Sequence, residues 1–318
     1  MPRYICRMSA PVERRPTTQH YVEYAATRLV VGALRQLGWR TSSTLGAWLA
    51  RLAWWPFGIR REVTRRQIAA AFPNWPPERV QRVARGAYDN LGRTSIETAT
   101  LPGTPAAEIL ARVSRVDGWH HVEAARTAGQ GIIGVTGHLG NWELAGAYFA
   151  ARGVPVSAVV RGMANPVFEN WVTRTRRQAD IEVVHDRDAV RRTPRALREN
   201  RLVGFLADHD ALGLASTFVP FFGRPAKTPR GPAVFALRLG APVLFITMVR
   251  QPDARYALLI EPIEVAPTGD READVDAIVL QFTEHLEARV RDYPEQYFWQ
   301  HRRWRRQPPD TPPHLREP

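Results

Sequence analysis

The chain has 318 residues, of which 44% are hydrophobic, so one large domain or two smaller ones with a substantial core are expected. Its 44 basic and 31 acidic residues give a formal charge of +13, which predicts an anionic partner: nucleic acid, an anionic membrane or a phosphorylated substrate. Cys6 is the only cysteine, and this count excludes both a disulfide framework and a cysteine-based zinc site.

The N-terminal third of the chain has the composition of helices rather than strands. Residues 1–20 are polar, lack the apolar core of a signal peptide, and are predicted to form a flexible leader. Residues 21–115 are predicted to be helical, with breaks at their prolines.

Residues 21–60 combine Leu, Val, Ala and Trp with interspersed arginines. Large apolar residues recur there at helical spacing, namely Leu45, Trp48, Leu49, Leu52 and Trp55. Arginines interrupt every apolar run, so none reaches the roughly 18 residues expected of a spanning helix. The pattern predicts amphipathic helices that lie on a membrane with arginines toward the headgroups; the alternative is packing against the protein's own core.

From about residue 116 onward, short apolar runs alternate with helical patterns. Strands are predicted at 131–137, 154–161, 181–185, 201–208, 241–250 and 255–265, and helices at 141–153, 165–179, 188–200, 231–240 and 273–294. The alternation predicts an α/β fold: a central mixed, largely parallel sheet flanked by helices, with N-terminal amphipathic helices. Residues 21–306 form a single domain in this interpretation, and the proline-rich residues 307–318 form a disordered tail.

The segment TGHLGNWELAG, residues 136–146, places a histidine between a predicted strand and a predicted helix. Ligands of open α/β sheets collect at this position, beyond the carboxyl end of a strand. Asn141 is a suitable N-cap for the helix, and Gly137 and Gly140 allow the backbone to bend close to a ligand. Glu143 then falls in the first helical turn.

If His138 lies in the turn before the helix, the Glu143 carboxylate can reach back and hold one ring nitrogen in its protonated form. The other nitrogen is then left as a base. The chain has no G-x-S-x-G elbow, and Cys6 is remote, so the proton is expected to come from a bound substrate hydroxyl that attacks an activated acyl carbon. Helix-end amides suit the resulting oxyanion. The alternative is a histidine in an ordinary turn, with a glutamate favoured only by the helix dipole.

The run Asp208-His209-Asp210 carries the residue types of a metal site. Neighbours along a strand point to opposite faces, which disfavours three ligands on one ion unless the strand has ended. An acidic pair that supports the site or pairs with arginine is the preferred interpretation. The terminal run HRRWRRQ, residues 301–307, suits either nucleic acid or a lipid headgroup surface.

The segment GHLGNWELAG resembles the H-x4-D/E motif of the glycerolipid acyltransferase superfamily. Within it, the chain is most similar to the bacterial lipid A late acyltransferases (lauroyl and myristoyl transferases) and the mycobacterial phosphatidylinositol mannoside acyltransferases. Three further blocks agree, namely VVRGMANPVFENWVTRTRRQ, GFLADHDALGLASTFVPFFGRPAKTPRGPAVFALRLGAPV and YPEQYFWQHRRWRRQPP. The resemblance covers about residues 21–308.

The resemblance implies His138 as general base and Glu143 as its orienting partner. By position in the blocks it implies substrate-binding roles for Arg161, Arg174, Asp208 and Asp210, and we add Asn141 from its place in the motif.

The implied fold is an α/β sheet with a groove for an acyl chain. The implied reaction moves an acyl group from acyl-carrier protein or acyl-CoA, as co-substrate, to an anionic glycolipid at the cytoplasmic face of the bacterial inner membrane. No metal or tightly bound cofactor and no nucleic acid are implied. Family members usually open with an apolar anchor, whereas charges interrupt that segment here, which favours peripheral or shallow attachment. Two alternatives stay open at this point: a basic nucleic-acid-binding protein, and a metal-dependent hydrolase that uses His138 and Asp208.

Overall fold

The computed structural model describes residues 15–163, 165–209 and 214–318. The strands are β1 (Val113–Asp117), β2 (Ile132–Thr136), β3 (Val156–Val160), β4 (Ile181–His185), β5 (Leu202–Leu206), β6 (Ser216–Phe221), β7 (Arg224–Pro229), β8 (Val243–Arg250) and β9 (Tyr256–Ile263). The helices are α1 (Thr18–Gln36), α2 (Trp39–Trp54), α3 (Arg61–Ala71), α4 (Pro77–Thr100), α5 (Ala106–Ala111), α6 (Trp119–Thr127), α7 (Trp142–Ala151), α8 (Pro166–Gln178), α9 (Ala189–Arg198), α10 (Gly231–Leu239) and α11 (Arg271–Asp292).

Seven strands form one sheet in the order β1-β9-β8-β2-β5-β3-β4. Strands β8 and β9 are antiparallel, and the other neighbouring pairs are parallel. The fold class predicted from the sequence is confirmed: a mixed, largely parallel sheet flanked by helices. Strands β2 and β3 belong to one βαβ unit, but β5 lies between them and pairs with both.

The central strands are buried on both faces, as a parallel sheet covered by helices requires. In β2 the first four residues are all buried, and in β8 the first seven are. Two apolar clusters fill the space between this sheet and the helices. The strands are therefore firmly placed, and the residues that follow their carboxyl ends have defined positions.

One strand and one hairpin differ from the sequence predictions. Strand β1 lies where the helical pattern was expected to continue to residue 115, because this short edge strand carries little alternation. Strands β6 and β7 form an antiparallel hairpin within a segment rich in proline. Phe222 and Gly223 both have positive φ at its turn, which is the backbone of a two-residue hairpin loop.

The N-terminal helices pack on the sheet domain through α4 and through a contact between α1 and α8. Helices α2 and α4 cross at Gly46 and Gly92, where a Cβ on either residue would collide with the backbone of the other helix. Large apolar side chains remain exposed on α1, on α2 and on the loop after α2, including Trp48, Trp55 and Phe57. Among the described residues, no helix combines the length and the apolar character needed to cross a membrane.

The C-terminal segment packs into the fold. Trp304 is completely buried and its indole N–H donates to the Phe221 carbonyl at 3.2 Å, so it is not presented to a headgroup surface or to nucleic acid. The segment 307–318, expected to be disordered, has a defined path: the Gln307 amide donates to the Leu315 carbonyl at 2.7 Å. The buried Thr311 carbonyl also accepts from Arg316 at 3.0 Å. The prolines of this segment restrict its backbone and are compatible with an ordered turn.

Candidate active site

Two neighbouring parallel strands end side by side and deliver the residues at the centre of the site. Strands β2 and β5 pair in register, with Thr136 opposite Leu206 at their carboxyl ends. Because both strands run in the same direction, the residues two positions further along, His138 and Asp208, come to lie next to each other. This edge of an open α/β sheet is where ligands bind.

Asp208 holds His138 through two contacts. The ring Nδ1 lies 2.7 Å from Asp208 Oδ1, and the backbone N–H of His138 donates to Oδ2 at 2.8 Å. An ionised carboxylate only accepts, so Nδ1 carries the proton and a lone pair is left on Nε2. The structure corrects the prediction that Glu143 orients this ring: Asp208, expected to bind substrate, occupies that position.

Asp208 is almost completely buried, with 1% of its surface exposed. Burial opposes its ionisation, but electrostatic attraction to the His138 and His209 rings and the two hydrogen bonds from His138 outweigh that effect. They hold the pKa of the Asp208 carboxyl well below its ordinary value. The carboxylate is therefore ionised at neutral pH and stabilises an imidazolium when His138 takes up a proton.

The loop that carries His138 is fixed by segments distant in sequence. The backbone N–H of Gly140 donates to the Gln296 carbonyl at 3.0 Å, and that of Phe298 donates to the His138 carbonyl at 3.0 Å. Gly140 has a φ of 65°, and a Cβ there would collide with the Met248 carbonyl. Glycine is therefore required at this position, and the ring is held in one place.

Glu143 lies in the first turn of α7, as predicted, but it faces helix α8. Both of its carboxylate oxygens lie 2.7 Å from Nη2 of Arg176. Residues five apart do not share a helix face, and the loop conformation does not bring Glu143 back to the ring. The ion pair instead ties α7 to α8 at the wall of a cavity.

Asn141 caps α7 as predicted, and its side chain makes the capping hydrogen bond. Its Oδ1 accepts from the Leu144 backbone N–H at 3.0 Å, while Nδ2 donates to the buried Glu97 carboxylate at 2.8 Å. The side chain is buried. The structure thus corrects the prediction that Asn141 binds substrate, because both ends of its amide already have protein partners.

Three imidazole rings stack at the site. The His209 ring lies 3.7 Å from that of His138, nearly parallel to it, and 3.9 Å from that of His301. Burial lowers the pKa of His209 to about 3 and that of His301 to about 4, although attraction to Asp208 opposes both shifts. Both rings are therefore neutral at neutral pH and place no additional charge against His138.

The side chains of His138, Asp208 and His209 also have the composition of a metal site. Within the described residues, their ligand-type atoms all lie within 4.8 Å of one another. Ligands of one ion direct their lone pairs at a common point, whereas the stacked rings hold the lone pairs of His138 and His209 in nearly parallel planes. The arrangement is better suited to moving a proton than to binding an ion.

An apolar cavity of about 340 Å³ opens beside the site, a volume typical of ligand pockets. Its floor consists of small residues on three adjacent strands, where Gly204 pairs with Gly134 on one side and Ala158 on the other. Helices α7 and α8 supply other walls. Trp142 lines both this cavity and a small cleft that contains His138, so the cavity adjoins that histidine.

The structure places two of the remaining predicted residues, Arg161 and Arg174, on other elements. Arg161 is exposed just after β3. Arg174 lies on α8 and lines a second cavity of about 370 Å³, next to the apolar one. Asp210 falls outside the described residues. Of the predicted residues, the structure therefore joins His138 to Asp208 and places Glu143 and Arg174 on cavity walls.

Sequence reasoning missed the roles of His209, His301 and Arg176. The signal for His209 was its position beside Asp208, at the end of a strand parallel to the one before His138. His301 is brought to the ring by the C-terminal segment, and nothing in its local sequence announces that contact. Arg176 belongs to a helix with three arginines at 174, 176 and 177, and only packing shows which of them meets Glu143.

The chain belongs to the bacterial lipid A biosynthesis acyltransferase family, whose sequence profile matches residues 13–306. The family predicted from the motifs is confirmed, and the protein is an acyltransferase.

Curated relatives span most of the chain. The lipid A biosynthesis lauroyltransferase of Escherichia coli is 27% identical over 91% of this chain and 94% of its own length. The lipid A biosynthesis palmitoleoyltransferase of Escherichia coli is 28% identical, over 80% and 81%. The phosphatidylinositol mannoside acyltransferase of Mycobacterium tuberculosis is 26% identical, over 85% of each chain.

Proposed function

We propose that this protein transfers a fatty acyl group from an acyl thioester, carried by acyl-carrier protein or CoA, to a hydroxyl or amine of an anionic glycolipid or lysolipid such as a lipid A precursor. His138 is the general base. The observation that carries this proposal is the pair His138 and Asp208, with ring Nδ1 fixed 2.7 Å from the carboxylate beside an apolar cavity.

The proposed step begins when the acceptor oxygen or nitrogen attacks the thioester carbonyl carbon. Its proton passes to Nε2 of His138, and Asp208 stabilises the imidazolium that forms. The tetrahedral intermediate then expels the thiolate, which takes the proton from the ring. One C–O or C–N bond forms, one C–S bond breaks, and the base is returned to its starting state.

The oxyanion of the intermediate needs donors near the start of α7. The backbone N–H groups of Trp142 and Glu143 precede the first intrahelical hydrogen bond, whereas that of Leu144 is occupied by the Asn141 cap. The helix dipole adds positive potential at the same end. We assign the oxyanion site to these two amides.

The apolar cavity suits the acyl chain of the donor. Its walls are mostly apolar, and glycine at positions 134, 146 and 204 leaves room that larger side chains would fill. An added Cβ at Gly146 has no heavy atom within 4 Å. A fatty chain in this cavity gains roughly 0.8 kcal/mol for each buried methylene.

The acceptor lipid implies contact with a membrane, and the N-terminal helices are suited to it. Trp55 and Phe57 are 68% and 71% exposed, and arginines lie on the same helices and loop. Aromatic side chains favour the level of the headgroups, and arginine favours anionic lipid. We propose peripheral attachment to the cytoplasmic face of the inner membrane through this surface.

Neither alternative from the sequence has comparable support. The terminal run 301–307 was the best candidate for nucleic acid, but Trp304 and Arg303 are buried in the fold. A metal-dependent hydrolase would use His138 and Asp208, whose mutual hydrogen bond already engages one carboxylate oxygen.

The test compares purified wild type, His138→Ala and the control His120→Ala, which removes an exposed histidine of α6. Transfer from a dodecanoyl thioester to the lipids of a strain that lacks this gene is followed by mass spectrometry. We expect His138→Ala to lower the rate by about 10²–10⁴-fold, while His120→Ala matches wild type. A folded His138→Ala variant with wild-type activity would remove this residue from the mechanism.

A further inference from the structure

A second cavity lies between helices α1 and α8, with a volume of about 370 Å³. Three arginines line it: Arg28 and Arg35 from α1, and Arg174 from α8. Two of them come from a helix for which the sequence predicts contact with a membrane or packing against the protein's own core. The cavity therefore gathers positive charge from elements far apart in the chain.

These three guanidinium groups have no carboxylate partner among the described residues, in contrast to Arg176 on the same helix, which pairs with Glu143. Arg28 donates to the Tyr24 hydroxyl at 3.1 Å, and Arg35 donates to a backbone carbonyl. Burial and the charge of Arg28 lower the pKa of Arg35. Like charges thus converge here, and a bound anion would offset their repulsion.

An aromatic wall holds part of this cluster in place. The Arg28 guanidinium lies 5.4 Å from the centroid of the Trp171 ring, and Tyr24 meets the same indole edge to face at 6.4 Å. Stacking restricts the guanidinium while leaving its donors available, and the planar fork of arginine matches phosphate oxygens. The cluster is therefore organised for a phosphate group rather than for a diffuse counter-ion.

The arginine cavity and the apolar cavity share a boundary. Pro102, Gly103, Trp171 and Thr175 line both. A molecule whose hydrocarbon chain occupies the apolar cavity has this boundary between its chain and the arginines. Free inorganic phosphate would occupy only the arginine cavity and would make no use of its connection to the apolar cavity.

We propose that Arg28, Arg35 and Arg174 bind a phosphate group of a substrate that also carries an acyl chain. This inference rests on the proposed acyl transfer, and it adds a binding site on α1. The phosphate has two possible sources with the same chemistry: the CoA or phosphopantetheine part of the donor, or the headgroup of a phosphorylated lipid.

The test measures dissociation constants by tryptophan fluorescence for two matched pairs of probes. The donor pair is dodecanoyl-CoA and the dodecanoyl thioester of N-acetylcysteamine, which lacks phosphate. The lipid pair is lysophosphatidic acid and the monoacylglycerol with the same chain. Variants are Arg28→Gln, Arg35→Gln and Arg174→Gln, with Arg82→Gln as control, because Arg82 is an exposed arginine on α4 outside both cavities.

We expect each cavity variant to weaken binding of one phosphate-bearing probe by about tenfold, since charge-assisted hydrogen bonds are lost. The phosphate-free probe of the same pair should bind the variant and the wild type with equal affinity. This equality also shows that the variant is folded. Loss confined to the CoA pair assigns the site to the donor, and loss confined to the lipid pair assigns it to a headgroup. Equal losses within a pair, or none in either pair, would overturn the phosphate site.

These measurements record binding and require no chemistry. If His138→Ala kept full transferase activity while the arginine variants lost phosphate affinity, the proposed mechanism would fail and the phosphate site would stand. The opposite pattern would leave the mechanism and discard the site.

Discussion

The site at the ends of β2 and β5 and the N-terminal helices differ in how far their functional side chains are buried. At the site, Asp208 is buried and both of its oxygens contact His138. On α1, on α2 and in the loop that follows, Trp48, Trp55 and Phe57 are more than half exposed. The polar groups of the site have hydrogen-bond partners within the fold, whereas the large apolar side chains of the N-terminal region face outward.

This difference matches the two tasks of the proposed function, proton transfer and contact with a membrane. Proton transfer needs a ring held in a fixed position and a low-dielectric setting, and the parallel strands β2 and β5 supply both. Contact with a lipid surface needs apolar and cationic groups that face outward. One surface cannot easily be both rigidly packed and exposed to lipid. The two properties are found on different elements, and the two adjoining cavities lie between those elements.

The largest expected effect lies within the site. Asp208→Asn should lower kcat by at least about 10²-fold, because an amide cannot stabilise the imidazolium on His138 and favours the wrong tautomer. Glu143→Gln should cost less than about tenfold, because Glu143 pairs with Arg176 and not with the ring. Steady-state kinetics of both variants, with thermal unfolding to check folding, measure the contrast. A larger loss for Glu143→Gln would reverse the assignment made here.

A second effect concerns the stability of the same region in acid. The pKa values of His209 and His301, about 3 and about 4, lie below those of the unfolded chain, so only the unfolded chain gains protons as the pH falls below neutrality. The free energy of unfolding should drop by roughly 2 kcal/mol per histidine at about pH 5. Urea unfolding at neutral pH and at about pH 5 measures this change.

Replacing both rings provides the control for that measurement. The double variant His209→Gln/His301→Gln should show a shallower dependence of stability on pH. An unchanged slope would mean that the acid sensitivity has another source.

A third effect concerns the cavity that adjoins the site. Gly146→Leu should make the enzyme prefer shorter acyl chains, because the new side chain enters the apolar cavity. The change should reach about tenfold in relative kcat/KM between long and short thioesters. Leucine also favours a helix over glycine, so folding is not at risk. Gly231→Leu, on α10 away from the cavity, is the control; unaltered chain preference in Gly146→Leu would place the chain elsewhere.

The smallest expected effect tests the outward-facing region. Trp55→Ala and Phe57→Ala should each weaken partition into anionic vesicles by about fivefold, because partial insertion of an aromatic ring contributes about 1 kcal/mol. Flotation with phosphatidylglycerol vesicles measures the bound fraction. Phe218→Ala, on the hairpin of β6 and β7, removes an exposed aromatic outside this surface and should bind like wild type. Equal losses in all three variants would argue against a specific membrane surface.

Local patterns predicted much of this architecture. The alternation of strands and helices after residue 116 gave the α/β sheet, and Asn141 was recognised as the cap of α7 because capping depends on neighbouring residues alone. The hairpin of β6 and β7 was not predicted, because prolines at 220, 225 and 229 obscure a strand pattern.

The site was predicted only in part, for a reason that lies in sheet order. His138 was recognised from its place after a strand, but its partner was sought five residues away rather than seventy. Asp208 reaches the ring because β5 pairs with β2, and strand order is a tertiary property that one strand's sequence does not encode. The arginine cavity has the same origin, since α1 and α8 meet only in the folded chain.

The contacts of the C-terminal segment with the His138 loop bear on how the protein matures. During synthesis, β2 and β5 leave the ribosome before Gln296, Phe298 and His301 exist, so the loop at that stage lacks the hydrogen bonds and the third imidazole that hold it. A nascent chain can complete its sheet while the His138 loop still lacks these contacts. The bracing of the His138 loop is therefore completed only when the segment with Gln296, Phe298 and His301 docks.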